Sequence, residues 1–122
     1  MQLIKLSQVP KQSRVSSFFT GEPITAQPIA TEQMGKTLDM ALVNFGKGVR
    51  TKLHTHPTSD QVLIATAGKG RVATEQEELV VEPGDIVFIP AGEKHCHGAT
   101  EDSEFSHIYI QAGGSADVQV EG

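Results

Sequence analysis

Between Leu38 and Gln111 the chain is cut into apolar runs too short for an ordinary helix and long enough for a strand. The runs are Leu38–Phe45, Val62–Ala67, Gly70–Thr74, Glu78–Val81, Ile86–Ile89 and Phe105–Gln111. Val, Ile, Phe or Tyr recur in several of them, as strands favour. Turn residues separate them: Gly46-Lys47-Gly48, Gly68-Lys69-Gly70, Pro83-Gly84-Asp85 and Pro90-Ala91-Gly92. No segment keeps a 3.6-residue apolar period. This pattern predicts a single all-β domain, a sandwich or a barrel.

The flanks read differently. Residues 1–36 form an irregular N-terminal arm of the same domain, in which Pro10, Pro23 and Pro28 forbid long helices. A short helical turn fits near the start, and Ile24–Ile29 fits an edge strand, where proline is tolerated. Residues 37–113 carry the barrel, and residues 114–122 form a C-terminal tail.

A chain of 122 residues buries enough core to fold as one domain without disulfides, and its one cysteine, Cys96, permits none within the chain. The net charge of −5 and the scattered basic residues argue against nucleic acid as a partner. Nothing approaches the ~18 apolar residues of a membrane span. The start, MQLIKLSQVPKQ, lacks the apolar stretch of a signal peptide. The expectation is a cytoplasmic protein that acts on a small molecule.

The chemistry is concentrated in the histidines. Four of the five form two His-x-His pairs, His54/His56 and His95/His97, and His107 lies on the last strong strand. In a strand, residues i and i+2 share a face. Each pair therefore presents two imidazoles together, and His107, Tyr109 and Gln111 line up on one face. Neutral imidazole is a strong ligand for first-row divalent metals.

The spacing carries a resemblance. Gly48-x5-His54-x-His56-x4-Gln61-x6-Gly68 and Gly84-x5-Pro90-x-Gly92-x2-His95-x3-Ala99 resemble the two motifs of the cupin family. Gln61 stands where that family usually has glutamate, and Ala99 where it usually has asparagine. The resemblance implies a double-stranded β-helix, or jelly-roll barrel. It implies one divalent transition metal held by His54, His56, Gln61 and His95. Homodimers are common in the family. Asp60 is a rival to Gln61, since the pattern allows that offset, and a regular strand points the two to opposite faces.

His-Thr-His-Pro with a following glutamine, Gly92–Ala99 and Ser106–Gln111 are similar to a subgroup of small bacterial cupins. That subgroup includes manganese-dependent hydroxynitrile lyases. By this likeness Thr51, His97, His107 and Gln111 line the substrate pocket, and Ala41 and Val43 form its apolar wall. In a lyase reaction either His97 or His107 could serve as general base. Manganese is the favoured ion, with iron, nickel or zinc as alternatives.

Three imidazoles and an amide form a neutral ligand set, which favours Lewis-acid chemistry over redox cycling. The leading reading is a metal-dependent small-molecule enzyme of lyase type, with cyanohydrin cleavage as the model reaction. A dioxygenase acting on a small aromatic substrate is one alternative. A non-enzymatic metal or small-molecule binding protein is another.

Overall fold

The computed structural model describes residues 1–122. After a single 3-10 turn at Leu6–Gln8 come eleven strands: β1 (Gln12–Ser13), β2 (Ile24–Ala30), β3 (Leu38–Phe45), β4 (His54–Thr55), β5 (Gln61–Gly68), β6 (Gly70–Ala73), β7 (Glu78–Val81), β8 (Ile86–Ile89), β9 (Cys96–Ala99), β10 (Phe105–Ala112) and β11 (Val118–Gln119). No helix is long and apolar enough to cross a membrane.

The strands form an antiparallel jelly roll. One sheet has the order β1-β2-β3-β10-β5-β8, and a smaller one the order β7-β6-β9. Bridges Arg50↔Gly98 and His54↔His95 extend the smaller sheet toward β4. The predicted runs match β3, β7 and β8 residue for residue, and β5, β6 and β10 to within one residue at an end. The expected strand at Ile24–Ile29 is β2, but it is an edge strand only in part. Two residues of β1 pair with it at Ala26 and Thr25. The tail holds a strand that the sequence did not reveal: β11 pairs with β4 through Val118↔Thr55 and Gln119↔His54.

Register positions the site. On the inner face, β3, β10 and β5 stack side chains in rungs: Val43–His107–Ala65, Ala41–Tyr109–Leu63 and Asp39–Gln111–Gln61. Below them lies an apolar floor containing Phe45, Phe105 and Val49. The barrel thus grades from a hydrocarbon floor to a polar mouth. Burial of that floor is its main driving force.

Gly68 makes the tight passage from β5 to β6 possible. Its φ is +73°, and a Cβ there would overlap the Glu104 carbonyl oxygen. Gly68→Ala is therefore expected to lower unfolding free energy by about 3 kcal/mol or more, through left-handed strain and forced backbone movement. Urea denaturation checks this. A midpoint equal to that of the wild type would show that the β5–β6 turn relaxes freely.

Candidate metal centre

Four imidazoles meet at the mouth of the barrel. His54 and His95 face each other across a β-bridge, with ring centroids 4.4 Å apart. His56 lies 5.0 Å from His54 and 5.2 Å from His95 by the same measure. The donor nitrogens of His54, His95 and His97 lie within 4.8 Å of one another. All four side chains are buried.

Their outer nitrogens are tethered. His54 Nδ1 lies 2.7 Å from the Lys52 carbonyl oxygen, and His95 Nδ1 lies 2.8 Å from that of Glu93. A carbonyl can only accept, so each Nδ1 carries the proton. Burial disfavours the charged form, lowering the His54 pKa to about 4, helped by the neighbouring His95. The His95 pKa is lowered too, again mainly by burial. Neutral rings with Nδ1–H present bare Nε2 lone pairs. His56 Nδ1 lies 2.8 Å from Asp117 Oδ1, off the line of a good hydrogen bond, and its Nε2 is buried with no partner. The His56 ring in turn holds the Asp117 carboxyl below the usual range.

Gln61, the first residue of β5, is buried, whereas Asp60 points outward. The two side chains thus lie on opposite sides of the chain. The Asp60 carboxylate accepts the Ala91 backbone N–H at 2.9 Å and so ties down the turn before His95. Gln61 Oε1 lies 3.2 Å from His95 Nε2. Gln61 Nε2 donates to Gln111 Oε1 at 3.0 Å, and Gln111 Nε2 donates to Asp39 Oδ2 at 3.1 Å. The Tyr109 hydroxyl donates to the other oxygen of Asp39 at 2.9 Å.

A cavity of about 620 Å³ opens beside these groups, within the range of small-ligand pockets. His54, His56, Gln61 and His97 reach it, as do the expected wall residues Ala41, Val43, Thr51 and Gln111. Thr51 also braces β9, since its hydroxyl accepts the His97 backbone N–H at 3.1 Å. His107 does not face the cavity. It stands behind His97, with its Nε2 2.8 Å from His97 Nδ1. Burial pushes the pKa of His107 down to about 4 and that of His97 well below the ordinary value.

Both flanks of the chain also line the cavity. Phe18 packs on His54 with ring centroids 4.7 Å apart, and Arg14 and Asp117 stand at the rim. Neither these residues nor Asp39 was picked out from the sequence. Cys96 is on the other face of β9, half-buried, and does not join the histidines.

Residues 41–111, more than half of the chain, match the Cupin domain family. The chain belongs to the cupin family. This cupin is 44% identical over 72 residues to an (R)-mandelonitrile lyase from Granulicella tundricola, a match covering 58% of this chain and 54% of the relative. It thus spans about half the length of that curated relative. Among solved structures, a cupin-like protein from Thermotoga maritima has a TM-score of 0.84 and 32% identity, covering 93% of this cupin and 87% of that chain. A polyketide cyclase from Streptomyces resistomycificus has a TM-score of 0.86 at 14% identity, covering 98% and 85%, a likeness of fold alone.

Proposed function

We propose that this cupin binds one divalent transition metal through Nε2 of His54, His56 and His95 and through Oε1 of Gln61, and acts as a lyase-type enzyme on a small hydroxyl- or carbonyl-bearing substrate. One observation carries the reading. His95 Nε2 and Gln61 Oε1 face each other at 3.2 Å, and the contact of His95 Nδ1 with the Glu93 carbonyl favours the tautomer in which that Nε2 carries no proton. Two converging lone pairs repel unless a cation lies nearby. The buried, partnerless Nε2 of His56 points to the same conclusion. Imidazole tethered through its outer N–H is the usual form of a metal-bound histidine.

Imidazole and amide donors suit manganese, iron, nickel or zinc, and the resemblance to manganese-dependent cupins favours manganese. A divalent ion there would supply a Lewis acid that favours the alkoxide form of a hydroxyl and polarises a carbonyl. The protein's own groups do the rest. Ala41 and Val43 offer an apolar wall to a substrate side chain, and Gln111 and Thr51 give the cavity polar edges. His97 is kept neutral by burial beside His107. In the tautomer that donates its Nδ1 proton to His107 Nε2, its other nitrogen is free to accept one. With a cyanohydrin, His97 takes the hydroxyl proton, the C–CN bond breaks as the carbonyl forms, and cyanide leaves with the electron pair. His97 then returns the proton to cyanide. The partial match to a mandelonitrile lyase supports that choice of test reaction.

A second ligand set rests on the close approach of His54, His95 and His97. Metal content and benzaldehyde release from mandelonitrile distinguish the two. In the proposed arrangement His56→Ala loses metal, whereas His97→Ala keeps it and loses about 100-fold or more in turnover, as removal of a general base does. Metal lost from His97→Ala and retained by His56→Ala would establish the second set instead. Ile86 and Phe88, exposed on the outer edge of β8, support a homodimer as part of the same proposal.

A further inference from the structure

Gln61 raises a problem that a glutamate would not. A carboxylate presents the same atom whichever way it turns, whereas an amide has one end that ligates a cation and one that repels it. Something must keep the oxygen of Gln61 toward the imidazoles. The answer lies two strands away.

Asp39, Gln111 and Gln61 are direct cross-strand neighbours on β3, β10 and β5. Their side chains form one hydrogen-bonded row: Gln61 Nε2 to Gln111 Oε1 at 3.0 Å, then Gln111 Nε2 to Asp39 Oδ2 at 3.1 Å. A carboxylate has no proton to give, so it can only accept. Gln111 must therefore turn its NH2 to Asp39 and its oxygen to Gln61. Gln61 must then turn its NH2 to Gln111, which leaves its oxygen facing His95. We propose that Asp39 is a positioning residue that sets the direction of this amide row and so holds Gln61 in its metal-ligating orientation. The inference rests on the metal site proposed above.

The alternative orientation shows what Asp39 prevents. A reversed Gln61 would donate its N–H to the bare Nε2 of His95. The metal-free site would then satisfy itself and compete with the ion. Tyr109 makes this outcome accessible to a single substitution. Its hydroxyl donates to Asp39 Oδ1 at 2.9 Å, so an asparagine at 39 would keep its oxygen there and place its NH2 opposite Gln111. Both amides would reverse in sequence.

A glutamate at position 61 inverts the logic. Its carboxylate would accept from Gln111, forcing the Gln111 oxygen toward residue 39. Aspartate there would meet it with another lone pair, and asparagine would donate to it. Residues 39 and 61 thus form a matched pair: Asp with Gln, or Asn with Glu. This gives an acidic residue at the end of a strand a reason to accompany the loss of the acidic ligand.

The test is a double-mutant cycle read by manganese(II) and zinc(II) dissociation constants, together with the thermal midpoint of the metal-free proteins. Asp39→Asn is expected to weaken metal binding about 10- to 100-fold, as the loss of an orienting partner does, while raising the metal-free midpoint. In the Gln61→Glu background the same change should leave metal binding unchanged or tighter. A merely structural Asp39 would lower affinity and midpoint together in both backgrounds, and that result overturns the proposal. Should Asp39→Asn fail to fold, Gln111→Ala cuts the same row. It should weaken binding in the wild-type background and not in the Gln61→Glu background; equal losses in both overturn the proposal. A wild-type protein that binds neither ion removes the metal site itself. A wild-type protein that binds metal, with Asp39→Asn unchanged, removes only the role of Asp39.

Discussion

His95→Ala is expected to abolish specific divalent-metal binding while leaving the barrel folded. His95 is fully buried, bridges to His54, and has its ring fixed through the Glu93 carbonyl, so its Nε2 is aimed with little freedom. Removing an orienting partner of a metal ligand costs about 10- to 100-fold in affinity, and removing the ligand itself should exceed about 100-fold. The wild-type protein at about 100 times its dissociation constant should gain about 2.7 kcal/mol of stability from the ion. In His95→Ala that gain should vanish. Thermal denaturation with and without manganese(II), beside circular dichroism of the metal-free variant, separates lost binding from lost fold. Undiminished, stoichiometric metal in His95→Ala would place the ion elsewhere.

Acid should begin to destabilise the metal-free protein near pH 6.5, before its carboxylates protonate. His54 and His107 each have a folded-state pKa of about 4 against an ordinary value of 6.5, mainly because burial penalises the charged ring. In the unfolded chain both would bind protons near the ordinary value. Below that pH the unfolded state holds more protons, so stability falls as pH falls. The loss begins near pH 6.5 and is complete once pH passes about 4, where the folded rings also protonate. Each ring contributes on the order of 3 kcal/mol across that window. Two such contributions rival the whole stability of many domains. Urea midpoints of the metal-free protein from about pH 7.5 to about pH 4 measure it. A flat profile would mean that water reaches these rings freely. His107→Gln should flatten part of the slope.

The barrel between Leu38 and Ala112 was legible because short runs and Gly/Pro turns leave few ways to fold. The two His-x-His pairs were legible for the same reason: the pleat puts i and i+2 on one face, and the bridge His54↔His95 brings the pairs together. The pleat also separated Gln61 from Asp60. Depth within the barrel was not legible. His107, Tyr109 and Gln111 share a face as expected, yet register puts His107 behind His97 and leaves Tyr109 and Gln111 at the cavity. Asp39 carries no motif or periodicity that marks it, and only cross-strand register shows its neighbours. Phe18 and Asp117 reach the site from irregular flanks, whose contacts no periodicity encodes.

The two-residue pairing of β11 on β4 has a kinetic consequence. This segment carries the outer neighbour of His56, and beyond the pairing it is held by Glu121, which receives hydrogen bonds from Arg50 and the Leu53 backbone. So slight a zipper frays at a small fraction of the free energy that unfolds the main sheet. Each fraying exposes the edge of β4 to solvent. If the proposed site holds an ion, breathing of the last few residues is expected to set the ion's lifetime there, and the buried imidazoles its affinity.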